Sequence, residues 1–271
     1  MSAPELEGML TQLRLARLRE VYADWIQRAA EQDLGYEEFL RGLLEEELVA
    51  REEKRWKRRL KQANFPFERT LEQFDFRFRP ELKRQVFLTY LQDAFITEGR
   101  SLVLIGPAGL GKTHLSVAVG YQMVQRGHEV RFTTAQRLMN QCVAAADRKA
   151  RMRELQPYLR CDLLILDELG YLPTVPEIGP LLYEVIATRY EQKATIITSN
   201  KSLPEWGRYL HDPALAAALI DRLLHHGEVY YLQGESYRLR GKGVRLRTIG
   251  DGEEKSPEDP DPSSEPEASA P

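Results

Sequence analysis

Gly106-Pro107-Ala108-Gly109-Leu110-Gly111-Lys112-Thr113 narrows the folds open to this chain more than any other segment. It follows an apolar run, Leu102 to Ile105, and opens into a helical pattern that begins near His114 and Leu115. A glycine-rich segment between a strand and a helix turns successive backbone N–H groups inward, and the helix N-terminus closes this anion nest. Lys112 is spaced to reach the β- and γ-phosphates, and the Thr113 hydroxyl to ligate a magnesium ion. The bland alternative is a tight turn without a ligand. Eight matching residues in a strand–loop–helix setting argue against it. Residues Gly106 to His114 are therefore the candidate contacts to a nucleoside triphosphate.

A phosphate loop alone suits a kinase, a GTPase or an ATPase, and later residues narrow the choice. Leu163 to Leu166 is an apolar strand that delivers Asp167 and Glu168 at its carboxyl end, the edge where open α/β sheets bind ligands. Asp167 is placed to hold the magnesium shell with Thr113, and Glu168 to orient and polarise water. Paired carboxylates suit hydrolysis of a γ-phosphate, which needs positioning and charge neutralisation more than covalent chemistry. A further strand, Thr195 to Ile197, ends in Thr198-Ser199-Asn200. Asn200 either senses the γ-phosphate or makes an Asx-turn before Lys201. Arg222 lies near the end of a helical pattern after Pro213; it either pairs with Asp221 or a neighbouring glutamate, or reaches an adjacent subunit's nucleotide as an arginine finger. A small-molecule kinase would need an acceptor pocket and a mobile basic lid, and neither is evident.

Strands at Leu102–Ile105, Val130–Thr133, Leu163–Leu166, Ala194–Thr198 and Val229–Leu232 alternate with helical patterns such as Leu115–Gln125 and Pro180–Tyr190. Such alternation predicts an α/β fold with a five-stranded parallel sheet covered on both faces. The first 65 residues read as a small helical domain. In it Leu15, Leu18, Tyr22 and Trp25 recur at helical spacing, and a second helix from Tyr36 turns Leu40, Leu43, Leu44 and Leu48 inward. Residues 66–98 read as a connector followed by a helix from Pro80, and 99–250 as the nucleotide-binding domain. Residues 251–271, rich in Pro, Ser, Asp and Glu, read as a disordered acidic tail.

The overall charge conceals a division. Eight acidic residues stand against Lys255 in the tail, a balance of −7, so a total of −3 leaves +4 for the body. Between Arg51 and Lys61 seven cations crowd around Trp56, with Lys54, Arg55, Lys57, Arg58, Arg59 and Lys61 as candidate contacts to nucleic acid. A second cluster is Arg148, Lys149, Arg151 and Arg153. Most charge runs are only solvated helix faces, but cations this dense repel one another, and a polyanion relieves that cost. Two cysteines, Cys142 and Cys161, are too few for a disulfide framework or a metal knuckle and suit a reducing cytoplasm. No apolar run approaches the ~20 residues that span a bilayer. The first ten residues also lack the basic-then-apolar layout of a secretory leader.

Taken in order, these elements resemble the AAA+ ATPases, and within them the IstB/DnaC clade, in particular the IstB-type helper ATPases of insertion-sequence transposition. The resemblance runs from about Leu10 to Gly243. It includes Tyr36-Glu37-Glu38-Phe39-Leu40, Ala63-Asn64-Phe65-Pro66, the phosphate loop, Asp167 to Pro173, Thr198-Ser199-Asn200 and Asp221-Arg222-Leu223. It implies ATP binding with Mg2+, self-association on double-stranded DNA, distortion of that DNA, and stimulation of a cognate transposase. Lys112, Asp167, Glu168, Asn200 and Arg222 would be the catalytic set, with Arg222 acting in trans. The main alternative within the clade is a replicative helicase loader of the DnaC type. The chain departs from the usual pattern after Arg222, where too few residues remain for a helical lid carrying a second sensing arginine. Ser236-Tyr237-Arg238 is the available substitute.

Overall fold

Five short apolar runs form one parallel sheet because each alternates with a helix that returns the chain to the same end. The computed structural model describes residues 3–80, 82–171, 176–234 and 236–237. The acidic tail, Arg238, and Leu172-Pro173 of the loop after the carboxylates lie outside them. The order is α1 (Ala3–Gln12), α2 (Ala16–Gln32), α3 (Tyr36–Ala63), α4 (Arg84–Thr89), α5 (Asp93–Thr97), β1 (Ser101–Ile105), α6 (Lys112–Gln125), β2 (Val130–Thr134), α7 (Ala135–Val143), α8 (Arg148–Arg160), β3 (Leu163–Leu169), α9 (Ile178–Arg189), β4 (Ala194–Ser199), α10 (Trp206–Tyr209), α11 (Pro213–His225) and β5 (Gly227–Tyr231).

In space the strands run β2-β3-β4-β1-β5, all parallel. Burial on both faces explains why their sequences are apolar throughout rather than alternating. The period of two survives in which core each side chain enters. Leu102, Leu104, Leu163, Ile165 and Ile196 pack with α6 and the preceding helices. Val103, Ile105, Leu164, Leu166 and Ile197 pack with α7, α8, α9 and α11. Among the described residues no helix is long and apolar enough to cross a membrane.

The N-terminal helices carry a core of their own, Leu10, Leu18 and Leu43, with Leu15, Tyr22 and Trp25 against it. Gly42 permits this packing, because a Cβ there would sit 2.1 Å from the Trp25 ring. α2 has no side-chain cap of its own. Glu47 of α3 supplies one, accepting from the backbone N–H groups of Arg17 at 2.8 Å and Leu18 at 3.2 Å. The far half of α3 belongs elsewhere: Trp56, Leu60 and Ala63 join the core beneath the sheet.

Two expectations are corrected. Of Leu40, Leu43, Leu44 and Leu48 only Leu43 is buried; the other three are exposed, because α2 meets α3 along the Gly42–Leu43–Glu47 line. Instead of one helix from Pro80, two short helices form, α4 and α5. Gln92 between them is extended, a break that accompanies the complete burial of Phe87, Tyr90 and Phe95.

Candidate active site

The phosphate loop takes its shape from its glycines. Gly111 caps α6 in the left-handed region, with φ 91°. A Cβ there would also lie 2.6 Å from the Phe74 ring, so no other residue fits without displacement. Lys112, the first residue of α6, folds back on the loop and donates to the carbonyls of Gly106 at 2.6 Å and Pro107 at 2.7 Å.

Opposite the loop, β3 and β4 fall out of register. Leu166 pairs with Ile197 and Leu169 with Ser199, so Asp167 and Glu168 together face Thr198 alone. This is a β-bulge at a sheet's carboxyl end. Glu168 absorbs the extra residue by adopting φ 60°, a conformation that costs a side chain with a Cβ on the order of 1–2 kcal/mol. Thr198 fills the bulge. Its Oγ1 accepts from the Glu168 N–H at 3.0 Å and donates to Asp167 Oδ1.

The bulge gives two adjacent carboxylates different surroundings. Asp167 is only 3% exposed and also accepts from Thr113 Oγ1, at 3.0 and 3.1 Å from its two oxygens. Burial pushes its carboxyl above the usual aspartate range, against the hydrogen bonds from Thr198 and Thr113 and the nearby charge of Lys112. Glu168 is exposed and lines the cavity. Thr113 and Asp167, a hydroxyl and a carboxylate already in contact, form the hard-oxygen donor pair that suits Mg2+.

The cavity, about 260 Å³, runs from Ala108–His114 to Glu168, Thr198 and Asn200. Tyr171 and Tyr237, both in segments already singled out, also line it, but the rest of the wall was not foreseen. Phe67, Arg69, Gln73, Phe74, Asp75, Phe78 and Arg79 come from the stretch read only as a connector, whereas Tyr237 comes from the chain beyond β5. His114 pins that stretch, with Nε2 3.1 Å from the Thr70 carbonyl and its ring 5.3 Å from Phe74. Phe78 meets Tyr237 edge to face, and the Tyr237 N–H donates to the Gly109 carbonyl at 3.0 Å. The recurrence of Phe65, Phe67, Phe74, Phe76 and Phe78 was the available signal.

Asn200 lines the cavity, whereas Arg222 does not. It lies near the end of α11, beside the starts of β1 and β4, at the opposite edge of the sheet. There its Nη1 donates to the Ala218 carbonyl at 3.0 Å, and its guanidinium stacks on Tyr183 at 4.8 Å and Tyr190 at 6.0 Å. Of the two basic clusters, Lys54, Arg55, Lys57, Arg58 and Lys61 are exposed on α3 and Arg59 is half-buried; Arg148, Lys149, Arg151 and Arg153 are exposed on α8. Lys57 pairs with Glu53 at 2.6 Å.

A family profile described as IstB-like ATP binding protein matches residues 8–244. The chain belongs to this family. It is accordingly an ATP-binding ATPase of AAA+ type, and its phosphate loop and β2-β3-β4-β1-β5 sheet fit that membership. Among curated relatives, the ATP-binding protein of insertion sequence IS21 from Pseudomonas aeruginosa is 40% identical over 230 residues, 85% of this chain and 87% of that protein. The corresponding protein of insertion sequence IS5376 from Geobacillus stearothermophilus is 37% identical over 223 residues, 82% and 88% of the two chains. Among solved structures, the DnaC helicase loader aligns with a TM-score of 0.50 at 23% identity, covering 65% of this chain and 99% of that one. DnaI aligns with a TM-score of 0.50 at 18% identity, covering 62% and 89%. At such identities the likeness concerns the fold.

Proposed function

We propose that this IstB-like ATPase assembles on double-stranded DNA when it binds ATP, distorts that DNA and stimulates a partner transposase, working in the cytoplasm. The observation that carries this reading is the position of Arg222. A guanidinium at the opposite edge of the sheet cannot serve its own cavity, but in a head-to-tail assembly it meets the nucleotide of the next copy. The basic clusters of α3 and α8 supply the second support. They lie on opposite faces of the sheet near edge strand β2: α3 packs on β2 directly, and α8 packs on α7, which itself touches β2. Phosphate contacts of this kind give affinity without sequence choice, which suits a helper acting at many targets. Likeness to insertion-sequence proteins over residues 8–244, N-terminal helices included, favours this reading over a helicase loader.

Within the site, Thr113 and Asp167 would hold Mg2+, which supplies charge neutralisation on the β- and γ-phosphates. Lys112 exchanges its two carbonyl partners for phosphate oxygens. The aromatic wall of Phe67, Phe74, Phe78 and Tyr237 receives the base. Glu168 orients and polarises the attacking water, and Asn200 reads the γ-phosphate. Arg222 of the adjoining copy stabilises the charge that develops.

Negative-stain imaging and sedimentation with duplex DNA, with and without a non-hydrolysable ATP analogue, test the reading. Rings or filaments should form only with analogue and duplex together, and Lys112→Ala should abolish them. Binding should weaken steeply with salt, and the assembled complex should retain the transposase. A monomer indifferent to duplex under every nucleotide condition would refute the proposal.

A further inference from the structure

At the edge of the sheet away from the nucleotide, three donor groups converge that the ATPase chemistry does not use. α11 ends at His225, and His226 caps it with φ −123° and ψ 38°. Within a helix, neighbouring residues project about 100° apart. Leaving the helix at the cap brings the two imidazoles together, with ring centroids 4.2 Å apart. Glu191 faces them from the turn between α9 and β4, where φ is 59°. Its Oε1 lies 3.0 Å from His226 Nε2 and 3.5 Å from His225 Nδ1. One donor atom from each residue lies within 4.8 Å of the other two.

Two nitrogens and one oxygen form a donor set suited to a tetrahedral ion, and the carboxylate lies 3.0 and 3.5 Å from the two nitrogens. Bond lengths of about 2.0–2.2 Å place neighbouring tetrahedral ligands roughly 3.3–3.6 Å apart. All three residues are exposed, so an ion can enter from solvent and keep water as its fourth ligand. Tyr190, and then His226, hold the Glu191 carboxyl below its usual range. Imidazole donors select transition metals over Mg2+, which prefers an all-oxygen shell.

We propose that Glu191, His225 and His226 bind a divalent transition-metal ion of the zinc class and thereby tie the end of α11 to the turn before β4. Occupancy has a local consequence. The Tyr190 hydroxyl now lies 2.6 Å from His225 Nδ1, the atom the ion would take. Tyr190 also forms part of the aromatic surface on which Arg222 stacks. A bound ion therefore competes with one of the contacts that hold the Arg222 shelf in place.

The site stands apart from the nucleotide reading, and its test uses metal binding rather than ATP turnover. Tag-free full-length protein is titrated calorimetrically with ZnCl2, with MgCl2 as control, and Co2+ absorption reports the coordination geometry. One equivalent of zinc should bind and raise the melting temperature, with tetrahedral Co2+ bands. Glu191→Gln should weaken binding roughly tenfold or more, and the double variant His225→Ala/His226→Ala should remove it. Nucleotide binding in these variants shows that they remain folded. Absence of stoichiometric zinc binding to the wild type would overturn the assignment. So would undiminished binding by the double variant, which would place the metal at Cys142, Cys161 or another histidine.

Discussion

The two ends of the sheet answer opposite demands. At the amino end, the Arg189 guanidinium is 1% exposed and satisfied on every side. It donates to the carbonyls of Tyr158 at 2.7 Å and Cys161 at 2.9 Å, to that of Ala194, and to Thr195 Oγ1 at 3.1 Å. At the carboxyl end Glu168 holds a left-handed backbone, Asp167 is buried against two hydroxyls, and Lys112 folds onto carbonyls of its own loop. One end binds α9 to the strands in one arrangement. The other keeps polar groups in arrangements that a triphosphate would improve. Stability and function are thus separated by the length of the strands, and substitutions at each end should be distinguishable by what they change.

The largest expected effect belongs to Arg222, which is structurally at the stable end and functionally assigned to the other. Arg222→Ala should lower turnover of the DNA-assembled protein by about 10³–10⁵-fold, the contribution of a finger arginine where one acts. Thermal stability should change little, because the lost contacts are a half-buried stack on Tyr183 and Tyr190 and one hydrogen bond to the Ala218 carbonyl. Mixing this variant with Lys112→Ala should restore part of the activity, since each supplies what the other lacks. Activity that fails to recover at any mixing ratio contradicts action in trans. Next in size is Glu168→Gln, which should reduce hydrolysis by about 10²–10⁴-fold. ATP binding should survive, and complexes on duplex should live longer. Hydrolysis at the wild-type rate would remove Glu168 from its role.

Arg189→Met tests the other end. The substitution nearly keeps the volume but leaves several buried carbonyls without donors, each costing about 1–3 kcal/mol. Relief from burying a charge offsets part of this. A net loss of about 3 kcal/mol is expected in denaturant titration, with nucleotide affinity unchanged in the protein that remains folded. A loss under about 0.5 kcal/mol, typical of ordinary surface sites, would show that the amino end does not hold the sheet together.

Sequence patterns made one half of this contrast legible. The phosphate loop, the five strands and the carboxylates at a strand end each follow from local rules: glycine spacing, apolar runs and the position of Asp167 and Glu168. What escaped was relational. Nothing in Leu166-Asp167-Glu168-Leu169 marks a bulge, because the left-handed residue is not a glycine and is stabilised by Thr198, about thirty positions away. The aromatic wall from Phe67 to Phe78 is assembled by contacts with α6 and Tyr237, so its segment looks like a linker when read alone. Arg189 reads as an ordinary basic residue in the last turn of a helix. On α3, helical periodicity placed four leucines inward, whereas contact with α2 at Gly42 selects a narrower line. Periodicity gives the apolar face, and only the partner decides how much of it is covered.

The smallest expected effect is also the most specific to the carboxyl end. In the folded chain, burial raises the Asp167 carboxyl above its usual range, so folding favours the protonated form. The residue therefore favours the folded state most at low pH, below its unfolded value, and that contribution is lost as pH rises through the folded value. Above the folded value the ionised carboxylate is a cost to stability. Asp167→Asn removes that cost while keeping an oxygen that can accept from Thr113 and Thr198. The nucleotide-free variant should melt a few degrees above wild type at pH 7, and the difference should shrink as the pH is lowered and the wild-type carboxyl takes up its proton. Turnover should fall despite the gain. A variant less stable than wild type at pH 7, or a difference that does not vary with pH, would mean that Thr113 and Thr198 fully compensate the buried charge, and the carboxyl end would then be no less settled than the amino end.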